Sequence, residues 1–158
     1  MTDQNELPAA GERKPQFTLQ RIYTKDVSFE SPAAPQVFTM EWRPETQVQV
    51  TSAANRVAER NYEVVLQVTV TTRLADKVAF IAEVKQAGLF LIEGLEGADL
   101  EHALSSHCPQ ILFPYAREAI ADLVMRGTFP QFLLQPMNFD GLYRESKRRR
   151  EPAGDATH

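Results

Sequence analysis

The feature that most constrains this chain is a long stretch of residues that alternate between apolar and polar. In YEVVLQVTVTT, residues 62–72, every second side chain from Tyr62 to Val70 is apolar and most of the others are polar. Because side chains alternate between the two faces of a strand, this pattern predicts a β-strand with one buried face. The run VAFIAEVKQAGLFLIEG, residues 78–94, continues the alternation, and Gly88 is predicted to form a bulge that resets its register.

Two further segments alternate in the same way. They are FTLQRIYTKDVSFE, residues 17–30, and TQVQVTS, residues 46–52. The segment between them, residues 31–45, contains three prolines, which favour an extended crossover over a helix. Four long strands that mostly follow one another with short connections predict an antiparallel sheet with one face open to solvent.

A helical period replaces the alternation after residue 96. In residues 97–130, Asp99 lies near the predicted start, Pro109 lies where a second helix can begin, and Gly127 follows the predicted end. The apolar side chains cover more than half of the helix circumference, which is too wide for a helix on the surface of a small sheet. The stripe is therefore buried either inside the monomer or, in the preferred interpretation, against another copy. Strands followed by helices predict an α+β fold.

The charge distribution limits the classes of partner. Residues 1–140 carry twelve Lys and Arg against eighteen Asp and Glu, a net charge of −6, whereas residues 141–158 carry five against three, a net charge of +2. An acidic body argues against nucleic-acid binding, because neutralising phosphates needs a basic face. The sequence has no run of eighteen apolar residues, which excludes a membrane-spanning helix. A protein partner fits this composition best.

The cysteine content and the N-terminus predict a reducing compartment. Cys108 is the one cysteine of the sequence, so an intramolecular disulfide is excluded. The first residues, MTDQNELPAAGERKPQ, contain no apolar core that could serve as a secretion signal. Residues 1–15 are polar and show no periodicity, which predicts a disordered arm.

Motifs for nucleotide, metal or nucleophilic chemistry are weak or missing. The sequence contains neither a G-x-G pattern nor a glycine followed by lysine, so the dinucleotide fingerprint and the P-loop are excluded. His102 and His107 lie near Ser105, Ser106 and Cys108, which invites a metal or Cys/His interpretation. Five residues apart on a helix, however, the two imidazoles diverge by about 140°. The preferred interpretation is a histidine at a helix end and a packed cysteine, with no cofactor and no metal.

One enzymatic alternative comes from the run RGTFPQF, residues 126–132. A Gly-x-Phe-Pro turn near a long helix and an antiparallel sheet resembles the hot-dog dehydratases and thioesterases. Those enzymes are expected to carry a histidine beside the Phe-Pro, and this chain has Thr128 there, which leaves no general base. The chain is therefore predicted not to be an enzyme, and an acyl thioesterase or dehydratase remains the alternative.

The remaining feature of the sequence is a set of aromatic residues that favours a binding function. Several aromatic residues lie in the crossover, the helix and the segment after the helix, where irregular packing can leave a groove. Each of them taken singly is best interpreted as part of the core. As a set they favour a concave apolar surface that holds exposed hydrophobic segments of another chain. They are Phe38, Trp42, Phe113, Tyr115, Phe132 and Phe139.

Several of these segments together resemble SecB, the export chaperone of the bacterial cytosol. The matching runs are FTLQRIYTKDVSFE, YEVVLQVTVT, CPQILFPYARE, RGTFPQF and MNFD, in order from about Phe17 to Leu142. The resemblance implies a four-stranded antiparallel sheet with a long helix and a shorter C-terminal helix, assembled as a homotetramer that is a dimer of dimers. It implies a chaperone domain over residues 16–142, between the arm of residues 1–15 and a basic, flexible tail over residues 143–158.

The resemblance also implies a function and its partners. It implies an ATP-independent holdase of the bacterial cytosol, which binds unfolded precursor proteins and delivers them to the translocation motor SecA. In the SecB family the SecA-binding patch includes the carboxylates of the first strand, here Asp26 and Glu30, and the AFxxEV strand, here Ile81 and Glu83. Alternation places the members of each pair on one face of their own strand. Without the family motif, each acid would be interpreted as part of a solvated face.

The resemblance places the client-binding groove at the crossover aromatics and the second strand. The groove residues that the resemblance implies are Trp42, Val48, Val50, Tyr115 and Phe139.

The basic run SKRRR, residues 146–150, is interpreted as a solvated end of the chain. The alternative is that it makes a contact of its own with a partner.

Overall fold

Four long strands form one antiparallel sheet in the computed structural model, which describes residues 14–151. The predicted four-stranded antiparallel sheet is confirmed. Residues 1–13 of the predicted arm and residues 152–158 of the predicted tail lie outside the described residues. The strands are β1 Gln16–Glu30, β2 Pro44–Arg56, β3 Asn61–Leu74 and β4 Lys77–Glu93, with the spatial order β1, β4, β3, β2.

The two central strands bury one face, as their alternation predicts. In β3 the even-numbered residues from Val64 to Leu74 are buried, whereas most of the odd-numbered residues are half-buried. In β4 Phe80, Ala82 and Val84 are buried, and they project to the same side as the buried residues of β3. We call this side the inner face of the sheet and the opposite side the outer face. The inner face carries the hydrophobic core.

The predicted bulge at Gly88 is wrong. Gly88 pairs in regular register with both neighbouring strands. The extra residues lie elsewhere, at Gln20 and Lys25 of β1 and at Ala79 of β4. A Cβ at position 88 would lie 2.7 Å from the Phe90 ring and 3.0 Å from Leu112 Cδ2. Glycine is needed here because helix and strand approach each other too closely for a side chain.

A continuous helix from residue 97 to residue 126 follows the sheet. It consists of α1, Gly97–His102, a π turn at Ala103–His107, and α2, Cys108–Arg126. Pro109 occupies the first turn of α2 and Gly127 forms its C-cap, as predicted. The predicted long helix is confirmed, and the π turn joins two helices that the sequence analysis left separate.

Helix α2 is buried on one side and open on the other in the single chain. Leu112, Ala116 and Ile120, one turn apart, are fully buried against β3 and β4. Tyr115 and Met125 on the other side are 50% and 65% exposed. The apolar stripe therefore exceeds what the sheet of one chain covers.

The C-terminal part consists of an irregular linker, residues 127–138, and helix α3, Phe139–Arg150. The predicted shorter C-terminal helix is confirmed. The Asn138 side chain caps α3 by accepting a hydrogen bond from the Gly141 amide at 3.0 Å. The predicted domain ended at residue 142, whereas α3 continues eight residues beyond it, supported by ion pairs one turn apart along its surface.

The crossover between β1 and β2 contains one 3₁₀ turn, Gln36–Thr39, and no α-helix. Val37 of this turn belongs to the core, and Phe38 beside it is exposed. Among residues 14–151, no helix combines the length and the hydropathy that crossing a membrane requires.

Candidate functional site

The four residues predicted to bind SecA lie on the outer face of the sheet. Glu30 of β1 pairs with Ile81 of β4, and Ser28 pairs with Glu83. Directly opposite residues of an antiparallel pair project to the same face, so the β1 acids share a surface with Ile81 and Glu83. Asp26 and Glu30 are exposed, and Ile81 and Glu83 are half-buried. The structure therefore brings all four residues together on one side of β1 and β4.

A hydrogen bond across the sheet fixes the carboxylate of Glu83. Thr69 of β3 lies directly opposite Glu83 in the register. The Thr69 hydroxyl, Oγ1, donates to Glu83 Oε2 at 2.9 Å. The sequence analysis did not assign Thr69, because the pairing of β3 with β4 cannot be obtained from alternation within one strand.

A fourth acid on the same side, Glu63, is already occupied. Lys25 Nζ lies 2.7 Å from Glu63 Oε1, and the Tyr23 hydroxyl donates to Glu63 Oε2. The hydrogen bond from Lys25, and then that from Tyr23, lower the pKa of Glu63. Burial, reinforced by the hydrogen bond to Glu63, raises the pKa of Tyr23 to about 12. Glu63 is therefore a structural partner rather than a free charge for docking.

A groove with mostly apolar walls opens on the inner face beside β2. Helix α2 packs on β3 and β4, so the inner face of β2 is left uncovered, and Val48 is 42% exposed. The linker forms the other wall, and the cavity measures about 500 Å³. We call this cavity the apolar groove. Its apolar lining includes Val48, Val50, Phe132, Leu133, Met137 and Leu142.

A second cavity of about 340 Å³ adjoins the apolar groove and shares Val50 and Leu142 with it. We call it the polar pocket. It lies between the later part of β2, the π turn and α3, and Phe139 forms part of its wall. Its polar lining residues are Thr51, Ser52, Ser105, Tyr143, Ser146 and Arg150.

Two of the five predicted groove residues lie elsewhere. Trp42 belongs to an aromatic cluster around Phe129, with ring centroids 5.8 Å apart, and Phe38 packs on the same Phe129 ring at 5.3 Å. Tyr115 lies on the open side of α2 and lines neither cavity. Val48, Val50 and Phe139 are therefore the predicted residues that the structure brings together beside the groove.

The sequence analysis missed the linker wall of the groove. Leu133 and Met137 of the linker line the apolar groove together with Leu142 of α3, yet only Phe132 and Phe139 were singled out in this part of the sequence. The available signal was the apolar, proline-interrupted run QFLLQPM, residues 131–137. That composition indicates an irregular apolar segment but does not say which strand it faces.

Helix α3 is attached to α1 and the π turn through Asp140. Asp140 Oδ1 is hydrogen-bonded by His102 and by the Ser106 hydroxyl at 3.1 Å, and Arg144 donates to Oδ2 at 2.9 Å. The hydrogen bond from His102, followed by that from Ser106, lowers the pKa of Asp140. The position of α3, which forms a wall of both cavities, thus depends on a cluster of polar contacts.

A second attachment lies at the other end of α3. Arg150 forms an ion pair with Glu101 of α1 at 2.8 Å. Both side chains are largely exposed, so this pair contributes little to stability by itself. Together the two attachments hold α3 along the helix that precedes it.

His102, His107 and Cys108 have separate surroundings. His107 packs against Phe17 with ring centroids 4.9 Å apart, whereas His102 is directed to Asp140. Cys108 is fully buried, and burial raises the pKa of its thiol to about 12. Within the described residues, no group of three or more His, Cys, Asp or Glu side chains is arranged to hold a metal ion.

Comparisons with known proteins concern the family and the fold of the chain. Residues 10–150 match the family model of SecB, described as preprotein translocase subunit SecB. A similar solved structure is a SecB-like chaperone from Mycobacterium tuberculosis in complex with a ChAD peptide from the HigA1 antitoxin. That match has 17% sequence identity and a TM-score of 0.59, and covers 77% of this chain and 90% of that one. A protein of unknown function from Streptococcus agalactiae aligns with 8% identity and a TM-score of 0.40, over 78% of this chain and 100% of the other.

Proposed function

The chain belongs to the SecB family, and from this membership we propose that it is an ATP-independent holdase of the bacterial cytosol. In this proposal it binds unfolded precursor proteins in the apolar groove and delivers them to the SecA motor. The observation that carries the proposal is the uncovered inner face of β2, which lies opposite an apolar linker. An apolar surface of this kind, left open in a folded chain, is typical of a protein-binding site.

Client binding by such a groove requires no sequence address. Each contact between one groove and one apolar segment is weak, but a long unfolded chain can occupy several grooves, and the linkage multiplies the affinity. A folded protein buries the same apolar segments, so folding of the client competes with binding and the folded client is released from the groove. Slow-folding precursors expose them long enough to be captured.

Assembly would supply the several grooves. The SecB family membership supports a homotetramer arranged as a dimer of dimers. The open side of α2, with Tyr115 and Met125, supports an association of this type, because apolar residues on a helix surface gain free energy when a second copy covers them.

Docking of SecA is proposed on the outer face of the sheet. Asp26, Glu30 and Glu83 form no ion pair within residues 14–151, although Lys85 lies directly opposite Asp26 and Glu83 accepts the hydrogen bond from Thr69. In this proposal the three carboxylates contact a basic surface of SecA. Ile81 adds an apolar contact between them. Charge complementarity of this kind accelerates encounter and is weakened by salt.

The hot-dog enzyme is not carried further as a candidate. The match to SecB extends over residues 10–150 and includes the Gly-x-Phe-Pro turn that suggested the enzyme. We therefore propose that the chain has no enzymatic activity of its own.

Light scattering of an aggregating, chemically unfolded protein tests the holdase activity. The wild-type chain is expected to suppress aggregation at about one tetramer per client. Val48→Asp introduces a charge into the apolar groove and should abolish suppression. Val57→Asp is the matched control, because Val57 is exposed but lies outside the groove. No suppression by the wild type, or equal suppression by both variants, would contradict the proposal.

A separate binding measurement tests SecA docking. The double variant Asp26→Ala with Glu83→Ala should lose most of its affinity for SecA while client binding is retained. The control Glu59→Ala with Glu96→Ala makes the same change in net charge outside the outer face. Loss of SecA binding and client binding together would point to a structural role for the two carboxylates instead.

A further inference from the structure

We propose that Lys85 is an internal counter-charge of the acidic outer face, which lowers the affinity of a basic partner for Asp26. This inference rests on the proposed docking of SecA and adds a residue that limits the strength of that docking. The sequence analysis assigned no role to Lys85.

The first support is the position of Lys85 among the carboxylates. Lys85 lies directly opposite Asp26 in the pairing of β1 with β4, so the Cβ atoms of the two residues are about 5 Å apart on the outer face. Glu83 lies two residues earlier on the same face of β4, about 7 Å away along the strand. The ammonium of Lys85 is therefore part of the surface that a basic partner would contact.

The second support is that Glu83 is directed to the other side of β4. Its Oε2 accepts the hydrogen bond from Thr69 of β3, whereas Asp26 belongs to β1, on the opposite side of β4. Asp26 is exposed and forms no ion pair within residues 14–151. Asp26 is therefore the carboxylate whose charge Lys85 offsets most directly.

The third support is that the other lysine beside Asp26 is already occupied. Lys25 precedes Asp26 in β1, and its Nζ lies 2.7 Å from Glu63 Oε1, in a side chain that is 14% exposed. The charges of Lys25 and Glu63 offset each other. Lys85 forms no ion pair within the part of the chain that the structure describes, so its charge remains to act on Asp26.

The burial of Lys85 keeps its charge near this neighbour. Lys85 is half-buried on the outer face, between Asp26 of β1 and Gln67 of β3. A lysine in such a position packs its methylene groups against the sheet and keeps its ammonium in water. The side chain therefore stays beside Asp26 instead of extending away from the sheet.

This arrangement reduces what a basic partner gains from Asp26. A partner cation that contacts Asp26 must approach the ammonium of Lys85, and like charges repel each other at short distance. We expect docking that is weaker, and less dependent on salt, than the three carboxylates alone would give.

Titration calorimetry with SecA at two salt concentrations tests the inference. Lys85→Gln removes the charge, and at low salt this variant should bind SecA roughly twofold to fivefold more tightly than the wild type. At about 1 M salt the gain should disappear, because the Debye length is then only about 3 Å. Lys14→Gln is the matched control, since Lys14 is exposed and lies before β1, whose start is about 30 Å from Asp26 along the strand. It should bind like the wild type.

A double-mutant cycle identifies the carboxylate on which Lys85 acts. In a chain that carries Asp26→Asn, the added change Lys85→Gln should no longer increase the affinity. In a chain that carries Glu30→Gln most of the gain should remain, because Glu30 lies opposite Ile81, about 13 Å along β4 from Lys85.

Three results would overturn the inference. They are unchanged or weaker SecA binding by Lys85→Gln, an equal gain for Lys14→Gln, and a gain that survives Asp26→Asn. Absence of SecA binding by both the wild type and Lys85→Gln would overturn the proposed docking itself, and this inference with it.

Discussion

Thr69 and Glu83 face each other across β3 and β4, and the Thr69 hydroxyl donates to Glu83 Oε2 at 2.9 Å. This bond holds one of the three carboxylates of the proposed SecA surface in a defined orientation. A carboxylate that is already oriented loses less side-chain entropy when a partner binds. Thr69 is thereby a positioning residue for the proposed SecA surface, although it carries no charge.

Replacing Thr69 with Val should weaken SecA binding without affecting client binding. The variant keeps the β-branched shape and removes the donor, which is worth about 0.5–1.5 kcal/mol, or roughly a twofold to tenfold loss of affinity. Isothermal titration with SecA measures the change. Thr71→Val is the control, because Thr71 lies on the same face of β3 and its hydroxyl makes no hydrogen bond within residues 14–151. Unchanged SecA affinity in Thr69→Val would show that the bond does not position Glu83 for docking.

Replacing Gly88 with Ala should destabilise the protein. The added methyl would lie 2.7 Å from the Phe90 ring and 3.0 Å from Leu112, inside a packed core, and overpacking of this kind costs about 1–3 kcal/mol. Urea denaturation should show a lower midpoint with an unchanged slope. Gly141→Ala, on exposed α3, meets only the Asn138 side chain that caps this helix, so its effect should be confined to α3 and its midpoint should fall less than that of Gly88→Ala. Equal midpoints for wild type and Gly88→Ala would mean that α2 can move away from β4 at little cost.

Alternation predicted the faces of the sheet because it is a local property of each strand. It placed Asp26 and Glu30 on one face of β1, and Ile81 and Glu83 on one face of β4. The register between the two strands then places Glu30 opposite Ile81. That pairing could not be predicted from the sequence. Alternation within one strand leaves the register between two strands open. The extra residue Lys25 was not predicted either, and it reverses the side to which the preceding residues of β1 point relative to Asp26 and Glu30.

The groove was harder to predict because its walls come from distant segments. Val48 and Val50 were assigned, but their counterpart Leu133 is on a linker whose course is determined by tertiary packing. Trp42 was assigned to the groove because it is an aromatic residue of the crossover. In the structure it packs against Phe129 in a separate aromatic cluster. Apolar composition predicts that a residue is buried or contacts another apolar group, but not which group.

Cys108 should resist alkylation in the native protein. Its thiol is fully buried and burial raises its pKa to about 12, so at pH 8 only about one molecule in ten thousand carries the reactive thiolate. Iodoacetamide labelling followed by mass spectrometry should show no modification in buffer and complete modification in guanidinium chloride. Rapid labelling of the native protein would mean that the helix opens frequently at this position.

The attachment of α3 should depend on pH through Asp140. The hydrogen bonds from His102 and Ser106 lower the pKa of Asp140, so they stabilise the docked helix when the carboxylate is ionised. Their contribution is fully present above the ordinary aspartate pKa of about 3.9 and is lost as the pH falls through the lowered value. Hydrogen-exchange protection factors of the α3 amides should therefore decrease in strongly acidic solution.

The same measurement on variants separates docking from helix formation. Asp140→Asn should lower the protection of α3 at pH 7, but the substitution also removes a favourable charge from the first turn of that helix. His102→Gln weakens the attachment from the α1 side and leaves the sequence of α3 intact, so it should lower the same protection factors. Asp122→Asn, which breaks a pair with Arg126 inside α2, should leave α3 unchanged. If only Asp140→Asn has an effect, the residue acts on helix formation and the contact with His102 does not hold α3 in place.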